Sequence, residues 1–408
     1  MPGTRSPWRL YFGRTLPANV RAVSLTSFLQ DVASEMVYPL LPGFLRLLGG
    51  GAAALGVMES VAEGVLALVK GWAGRESDRR GRRKPFVVWG YGLSAATRPL
   101  LAVAARPLHV VLTRALDRFA KGLRTAPRDA MIADSTPAAQ RGLAFSFHRG
   151  LDNLGAAVGP LLAAGLLALF PGRLRLVFAL ATLPALLGVV TVWWRVREVA
   201  PTPAVATADS PSDRGRLRLA RDLRAPLLAI FLFALGNASD AFLLLRASAL
   251  GVSAIGLTLL WSGFHVAKWA CSVPAGVLVD RLGPGRPLLA GWALYAAVYL
   301  GFGFVTSRPA WLALFLAYAL YYGLTEGAER TLVVTLAGEG GRGTALGAYH
   351  LAAGLGLFFA SLLFGVVWEQ VSARAAFVMG ATLALAAAAL LAFTLRAARA
   401  RSRRAAAP

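Results

Sequence analysis

The sequence predicts an all-α polytopic membrane protein: twelve transmembrane helices in two pseudo-symmetric six-helix halves. Three observations carry that expectation. The 408-residue chain is 57% hydrophobic with a mean hydropathy of +0.58, while charged residues make up 15%, against roughly 25% in soluble proteins. Apolar runs of spanning length, about 20 residues, recur along it. A set of motifs from the first half reappears in the second.

The runs lie near 21–45, 52–73, 86–105, 108–131, 143–169, 174–195, 225–249, 254–278, 286–306, 309–335, 343–368 and 373–396. The long polar segment 196–222, rich in Pro, Ala, Ser and Asp, reads as a flexible cytoplasmic linker. The domains expected are therefore an N-terminal six-helix half (1–195), the linker (196–222), a C-terminal six-helix half (223–396) and a basic cytoplasmic tail (397–408). The basic N-terminal segment has no apolar core followed by a cleavage site, so no cleaved signal peptide is expected. A lone cysteine, Cys271, excludes an intrachain disulfide.

A net charge of +23 raises the question of nucleic acid. The distribution of Lys and Arg answers it. With the N-terminus inside, most of the 43 basic residues fall in cytoplasmic segments. The external ones are Arg46, Arg106, Arg173, Arg175, Arg246, Arg308 and Arg374. That asymmetry is a topology signal placing both termini in the cytoplasm. No nucleic-acid partner is needed. The partners expected are a lipid bilayer, a small-molecule or ion substrate and protons, with the chain acting as a monomer.

The internal repeat is specific. Gly74, Asp78, Arg79, Gly81 and Pro85 match Gly276, Asp280, Arg281, Gly283 and Pro287, 202 residues later. KGLRTAPRD pairs with YGLTEGAER, and RGLAFSFH with RGTALGAYH, in the same order. Duplicated halves are the architecture of many secondary transporters.

On these motifs the chain resembles the major facilitator superfamily over nearly its whole length. GRESDRRGRRK (74–84) is similar to the family's loop motif, Gly-x-x-x-Asp-Arg-x-Gly-Arg-Arg-Lys. Glycines there permit a tight turn and close helix approach. The arginines hold the loop in the cytoplasm and can bind anionic lipid. Gly74, Asp78, Arg79, Gly81 and Arg82 are read as a conformational latch, with Arg128 as a candidate partner of Asp78.

Three further stretches resemble proton-coupled antiporters of bacteria. Asp31 followed by Pro39 and Pro42 is similar to their acidic first helix, and Arg118-x-x-Lys121-Gly122 to their Arg-x-x-Gln-Gly, with lysine replacing glutamine. Gly155-x-x-x-Gly159-Pro160 is similar to their fifth-helix motif, although the spacing also serves close helix packing. ASEMVYPLLP, KGLRTAPRDAMIADS and FHRGLDNLGAAVGP together resemble one bacterial subgroup, some of whose relatives are associated with magnetosome membranes and iron.

Ionisable residues within spans are costly and mark pathways, relays or structural ion pairs. Asp31 and Glu35 sit four apart on one helix face. With Arg118 as counter-ion they are the candidate proton carriers, because burial disfavours a charged carboxylate and a nearby cation favours it. Glu63, Lys121, Arg124, His148, Arg149, Asp152, Asp240, His265, Lys268, Glu326 and His350 are the candidate cavity residues. Glu59 lies near the external end of its helix, where it can reach water. Asn237-Ala238-Ser239 is a glycosylation sequon by pattern, but inside an expected helix.

Other function classes fare poorly. There is no His-Glu-x-x-His or Gly-x-Ser-x-Gly, so no enzyme is expected, and no Gly-Lys pair to make a nucleotide-binding loop. Two potential ligands, His148 and Asp152, are too few for a metal site. Neither metal nor cofactor is expected. The leading reading is a secondary transporter by alternating access, in the bacterial cytoplasmic membrane, exporting a small solute against proton entry. A proton-linked importer of an anion or metal species, and a transporter-like receptor without transport, are the alternatives.

Overall fold

The computed structural model describes residues 16–137, 140–198, 221–337 and 342–405. The basic segment 1–15, residues 199–220 of the expected linker, the Asp280 side chain and the tail's side chains from 398 onward lie outside the described residues.

Among the described residues the fold is helical throughout. The first half contains α1 (Ala18–Val37), α2 (Leu41–Leu47), α3 (Ala52–Arg80), α4 (Lys84–Ala102), α5 (Pro107–Asp134), α6 (Arg141–Leu169), α7 (Leu174–Leu180) and α8 (Thr182–Arg195). The second contains α9 (Arg221–Gly236), α10 (Ala241–Ala249), α11 (Ala254–Leu282), α12 (Gly285–Phe304), α13 (Arg308–Ala337), α14 (Arg342–Gln370) and α15 (Ala373–Ala405). Among the described residues, seven segments are long and apolar enough to cross a membrane on their own. The α5 helix is not one of them, because charged side chains run along it.

Three of the twelve expected spans are jointed, each for a local reason. The first passes from α1 to α2 through a 3-10 turn, Tyr38–Leu40, where Pro39 and Pro42 remove backbone donors. The sixth divides at Ala181. Pro184 has no N–H for the Leu180 carbonyl, and its ring crowds that group. The seventh was expected to be continuous over 225–249, but Asn237 to Asp240 are not helical. The sequon at Asn237 therefore occupies a break in the rod. The sequence Gly-Asn-Ala-Ser-Asp is poor in strong helix formers.

The described residues form two compact units. One comprises those of Met1–Phe44, Val65–Ala208 and Ala254–Ser262; the other those of Leu45–Gly64, Asp209–Ser253 and Gly263–Pro408. The first has an aliphatic core around Val20, Val23, Val87, Met131, Ile132 and Val192, with Tyr91. The second is aromatic. Tyr295 stacks on Tyr299 at 4.1 Å, Phe233 on Trp292 at 4.6 Å, and Trp311 on Phe315 at 5.4 Å.

The internal repeat shows as repeated packing. Gly81 and Gly283 both have positive φ, +62° and +73°, in the turns after α3 and α11. A Cβ on Gly122 would meet Val69 of α3 at 2.9 Å; one on Gly323 would meet Cys271 of α11 at 3.1 Å. Gly90 abuts Arg124 as Gly291 abuts Thr325. Equivalent helices thus approach through equivalent glycines.

Gly155 and Gly159 of α6 lie against the α1 backbone. Added Cβ atoms would stand 2.6 Å from the Phe28 carbonyl oxygen and 2.5 Å from that of Val32. Pro160 follows, buried. Backbone cannot yield as a side-chain tip does. Gly159→Leu is therefore expected to cost about 1–3 kcal/mol or more by overpacking, read as a lower thermal midpoint in detergent. Gly165→Ala, which meets nothing within 4 Å, is the control expected to leave it unchanged.

Candidate functional site

The charge stripe of α5 is organised around Asp117, which is buried. Ser94 Oγ of α4 donates to Asp117 Oδ1 at 2.6 Å, and Arg98 Nη1 reaches the same oxygen at 3.2 Å. Arg118 Nη2 donates to Oδ2 at 3.1 Å, and Arg114 Nη1 lies 3.8 Å from it. Gln30 Nε2 of α1 donates to Ser94 Oγ at 2.8 Å, joining a third helix to the network. Arg118 was expected to face Asp31 or Glu35. Here its ion-pair partner is its chain neighbour Asp117, the nearest carboxylate available to it.

A second polar region lies where α1, α5 and α6 pack. Asp31 is partly buried, and the charged groups acting on it are Asp152, Lys121, Glu35 and Arg124. Lys121 and Arg124 lie one and two turns beyond Arg118 on α5. Arg124 is buried with its guanidinium 4.6 Å from the Tyr91 ring. Glu35 Oε2 accepts a 2.8 Å bond from Trp261 Nε1 of α11. On α6, buried His148 lies 3.3 Å from Ser24 Oγ through Nδ1 and 3.5 Å from Asp152 Oδ2 through Nε2. Arg149 on the same helix is exposed. The glycines of α6 set this spacing, since the Cβ position of Gly155 is 3.1 Å from Asp31 Cβ and that of Gly159 is 3.1 Å from Glu35 Cβ.

The latch is also built differently from expectation. Arg128 bonds Asp129 Oδ1 at 2.9 Å and Ser27 Oγ of α1 at 3.1 Å, not Asp78. Asp78 is exposed, and Arg83 Nη2 reaches it at 3.3 Å. Arg83 Nη1 holds Asp134 Oδ2, at the end of α5, at 2.7 Å. Glu198 accepts the backbone N–H of Arg83 at 2.8 Å and of Lys84 at 3.0 Å, a carboxylate at the N-terminus of α4. Gly74 packs on Ala126, Gly81 makes the turn, and Arg79 pairs with Glu76 while Arg82 is exposed. Asp134 and Glu198 lie outside the motif and were not singled out by it, while Arg83, one of its arginines, is the residue that pairs with Asp134.

In the second unit the break after α9 forms the polar centre. Asp240 accepts bonds from Tyr318 and Tyr322, both at 2.8 Å. Backbone carbonyls freed by the break are met by tyrosine hydroxyls: Tyr295 donates to the Gly236 oxygen at 2.9 Å and Tyr299 to that of Ala238 at 3.5 Å. Asn237 Nδ2 donates to Tyr321 Oη at 3.0 Å. Ser239 Oγ donates to Glu59 Oε2 at 2.9 Å, so Glu59 is buried and bonded where water contact had been allowed for. Lys268 lies 4.0 Å from the Tyr322 ring centroid and 3.8 Å from Glu326 Oε2. Tyrosines are common in apolar helices, and nothing in their spacing announced a carboxylate partner some 80 residues away in sequence.

The other expected cavity residues lie on α3, α11 and α14. Glu63 is partly buried on α3, His265 is edge-on to Phe264, and His350 is exposed beside Tyr349. Among the described residues no group of three His, Cys, Asp or Glu side chains is placed to hold a metal.

Comparison with known proteins bears on the whole chain. The family model of the Major Facilitator Superfamily matches residues 23–246 and again 226–408. An uncharacterized MFS-type transporter of Methanocaldococcus jannaschii is 31% identical over 389 residues, covering 93% of this chain and 96% of that protein. Multidrug resistance protein MdtH of Yersinia pestis is 25% identical, covering 79% of each. Among solved structures, a bacterial homolog of the human lysosomal transporter Spinster, inward-facing and unoccupied, superposes with a TM-score of 0.76 at 16% identity. That superposition covers 96% of this chain and 98% of the other, and shows shared fold.

The latch geometry has a measurable consequence. In double-mutant cycles read by thermal unfolding, Arg83 is expected to couple to Asp134 by about 1–3 kcal/mol. Its coupling to exposed Asp78 is expected to stay below about 1 kcal/mol.

Proposed function

The chain belongs to the major facilitator superfamily, and within it we propose that this membrane transporter is a proton-coupled exporter of a small solute, working by alternating access. The observation that carries this reading is the cluster on α1. Two carboxylates, Asp31 and Glu35, lie in a spanning helix, with Lys121 and Arg124 among the charged groups acting on Asp31. A carboxylate in a low-dielectric setting must change protonation when its cation withdraws or returns. Movement of α5 relative to α1 would thereby load and release a proton.

The roles proposed are these. Asp31 and Glu35 carry the proton, Lys121 and Arg124 are the counter-ions, and Arg118 holds the stripe in place through Asp117. The Trp261 bond to Glu35 gives this carboxylate a partner that depends on the position of α11. Export as the direction is supported by the antiporter-like glycine motif and by the multidrug resistance relative. The remaining details proposed are a monomer in the bacterial cytoplasmic membrane with both termini inside, consistent with the distribution of Lys and Arg.

The test is transport of a cationic dye such as ethidium into proteoliposomes driven by an imposed pH gradient. The unaltered protein is expected to move dye only with the gradient. Asp31→Asn and Glu35→Gln are each expected to fall to the level of protein-free liposomes while remaining folded in detergent. Unchanged gradient-driven transport in both variants would remove these carboxylates from the mechanism.

A further inference from the structure

Between α1, α2, α4 and α5, within the first unit, lies a small cleft that neither Asp31 nor Glu35 lines. Its polar wall is made by Ser34, Thr97, Arg98, Thr113, Arg114 and Asp117, and aliphatic side chains of the same helices complete it. The space admits about one or two water-sized groups.

Arg98 is the unusual member. It is 4% exposed, and its contacts all run through one nitrogen. Nη1 donates to Thr97 Oγ1 at 3.0 Å and to Asp117 Oδ1 at 3.2 Å. Nε and Nη2 are buried with no hydrogen-bond partner. Those two atoms form the side edge of the guanidinium, the fork that matches an oxyanion with two parallel bonds. Asp117 cannot serve that edge. Its Oδ1 is taken by Ser94 and Arg98 Nη1, and its Oδ2 by Arg118, with Arg114 close by. A buried cationic donor left unmatched is costly, more so in a spanning helix.

We propose that this cleft is a binding site for a small planar oxyanion, of the formate, nitrate or bicarbonate kind, held on the Nε–Nη2 edge of Arg98. Ser34 and Thr113 line the same cleft, and their hydroxyls are the candidate further donors. Size excludes larger carboxylates, and the guanidinium fork selects planar oxyanions over halides. The site is separate from the proposed proton carriers and does not depend on their assignment.

The test uses the full-length protein purified in a chloride-free gluconate buffer. Its thermal midpoint is followed against added sodium formate and sodium nitrate, with sodium gluconate matching ionic strength. A ligand of the folded state raises the midpoint saturably. The expected result is a rise of several degrees with formate or nitrate and none with gluconate. Arg98→Lys keeps the charge but lacks the fork, and is expected to abolish saturation. Thr113→Val offers a milder perturbation, expected to weaken the response if Arg98→Lys does not fold. Asp31→Asn is expected to respond as the unaltered protein does. Equal stabilisation by gluconate, no saturable response, a response unaltered in Arg98→Lys and Thr113→Val, or one lost in Asp31→Asn would each overturn the proposal.

Discussion

One carboxylate, Asp117, holds together the most highly charged part of this chain. It binds a hydroxyl of α4 and lies within ion-pair reach of three arginines, two on its own helix and one on α4. Without it, α5 would carry a column of cations through a low-dielectric layer, at large cost. With it, Arg114, Arg118 and Arg98 are fixed on one side. The proposed division of the stripe, with Arg114 and Arg118 structural and Lys121 and Arg124 as counter-ions to Asp31, rests on that single side chain.

The second unit meets the same problem with different chemistry. Its seventh span is broken, and a break in a spanning helix frees backbone groups that lipid cannot satisfy. Tyrosine hydroxyls from α12 meet two of the carbonyls, while those from α13 hold the Asp240 carboxylate. The same rings form the apolar core of the unit. Tyrosine suits this double duty, having a large apolar body with one polar tip. The two units thus share equivalent glycine contacts but differ in how polar groups are buried: arginine and carboxylate in one, tyrosine and carboxylate in the other.

Much of the fold was legible in sequence because its causes are local or periodic. Apolar runs mark spans, and paired Gly81 and Gly283 mark repeated turns. The joints at prolines 39, 42 and 184 have local causes too, but the runs 21–45 and 174–195 were expected to be continuous. The break at Asn237–Asp240 was not legible. Its flanks stay apolar, and the tyrosines that stabilise it lie far along the chain. The candidate site divides in the same way. Asp31, Glu35, Lys121, Arg124, His148 and Asp152 stood out as ionisable residues in apolar helices, and the fold gathers them. Arg118 and Arg128 hold partners here other than those expected, Asp117 for the first and Asp129 with Ser27 for the second. Helical periodicity gives the face of a side chain, but not which of several carboxylates within reach will hold it. Arg98 passed unnoticed because a single arginine near a helix end ordinarily reaches water.

The most direct measurement of the claim that Asp117 organises the stripe is the stability of Asp117→Asn in detergent, alone and combined with Arg98→Gln. Removing one partner of a buried charge cluster leaves its cations unmatched. The single variant should therefore lose about 3–5 kcal/mol, and the double variant should recover part of that loss. A single variant as stable as the unaltered protein, or a double variant that loses the sum of both changes, would contradict it.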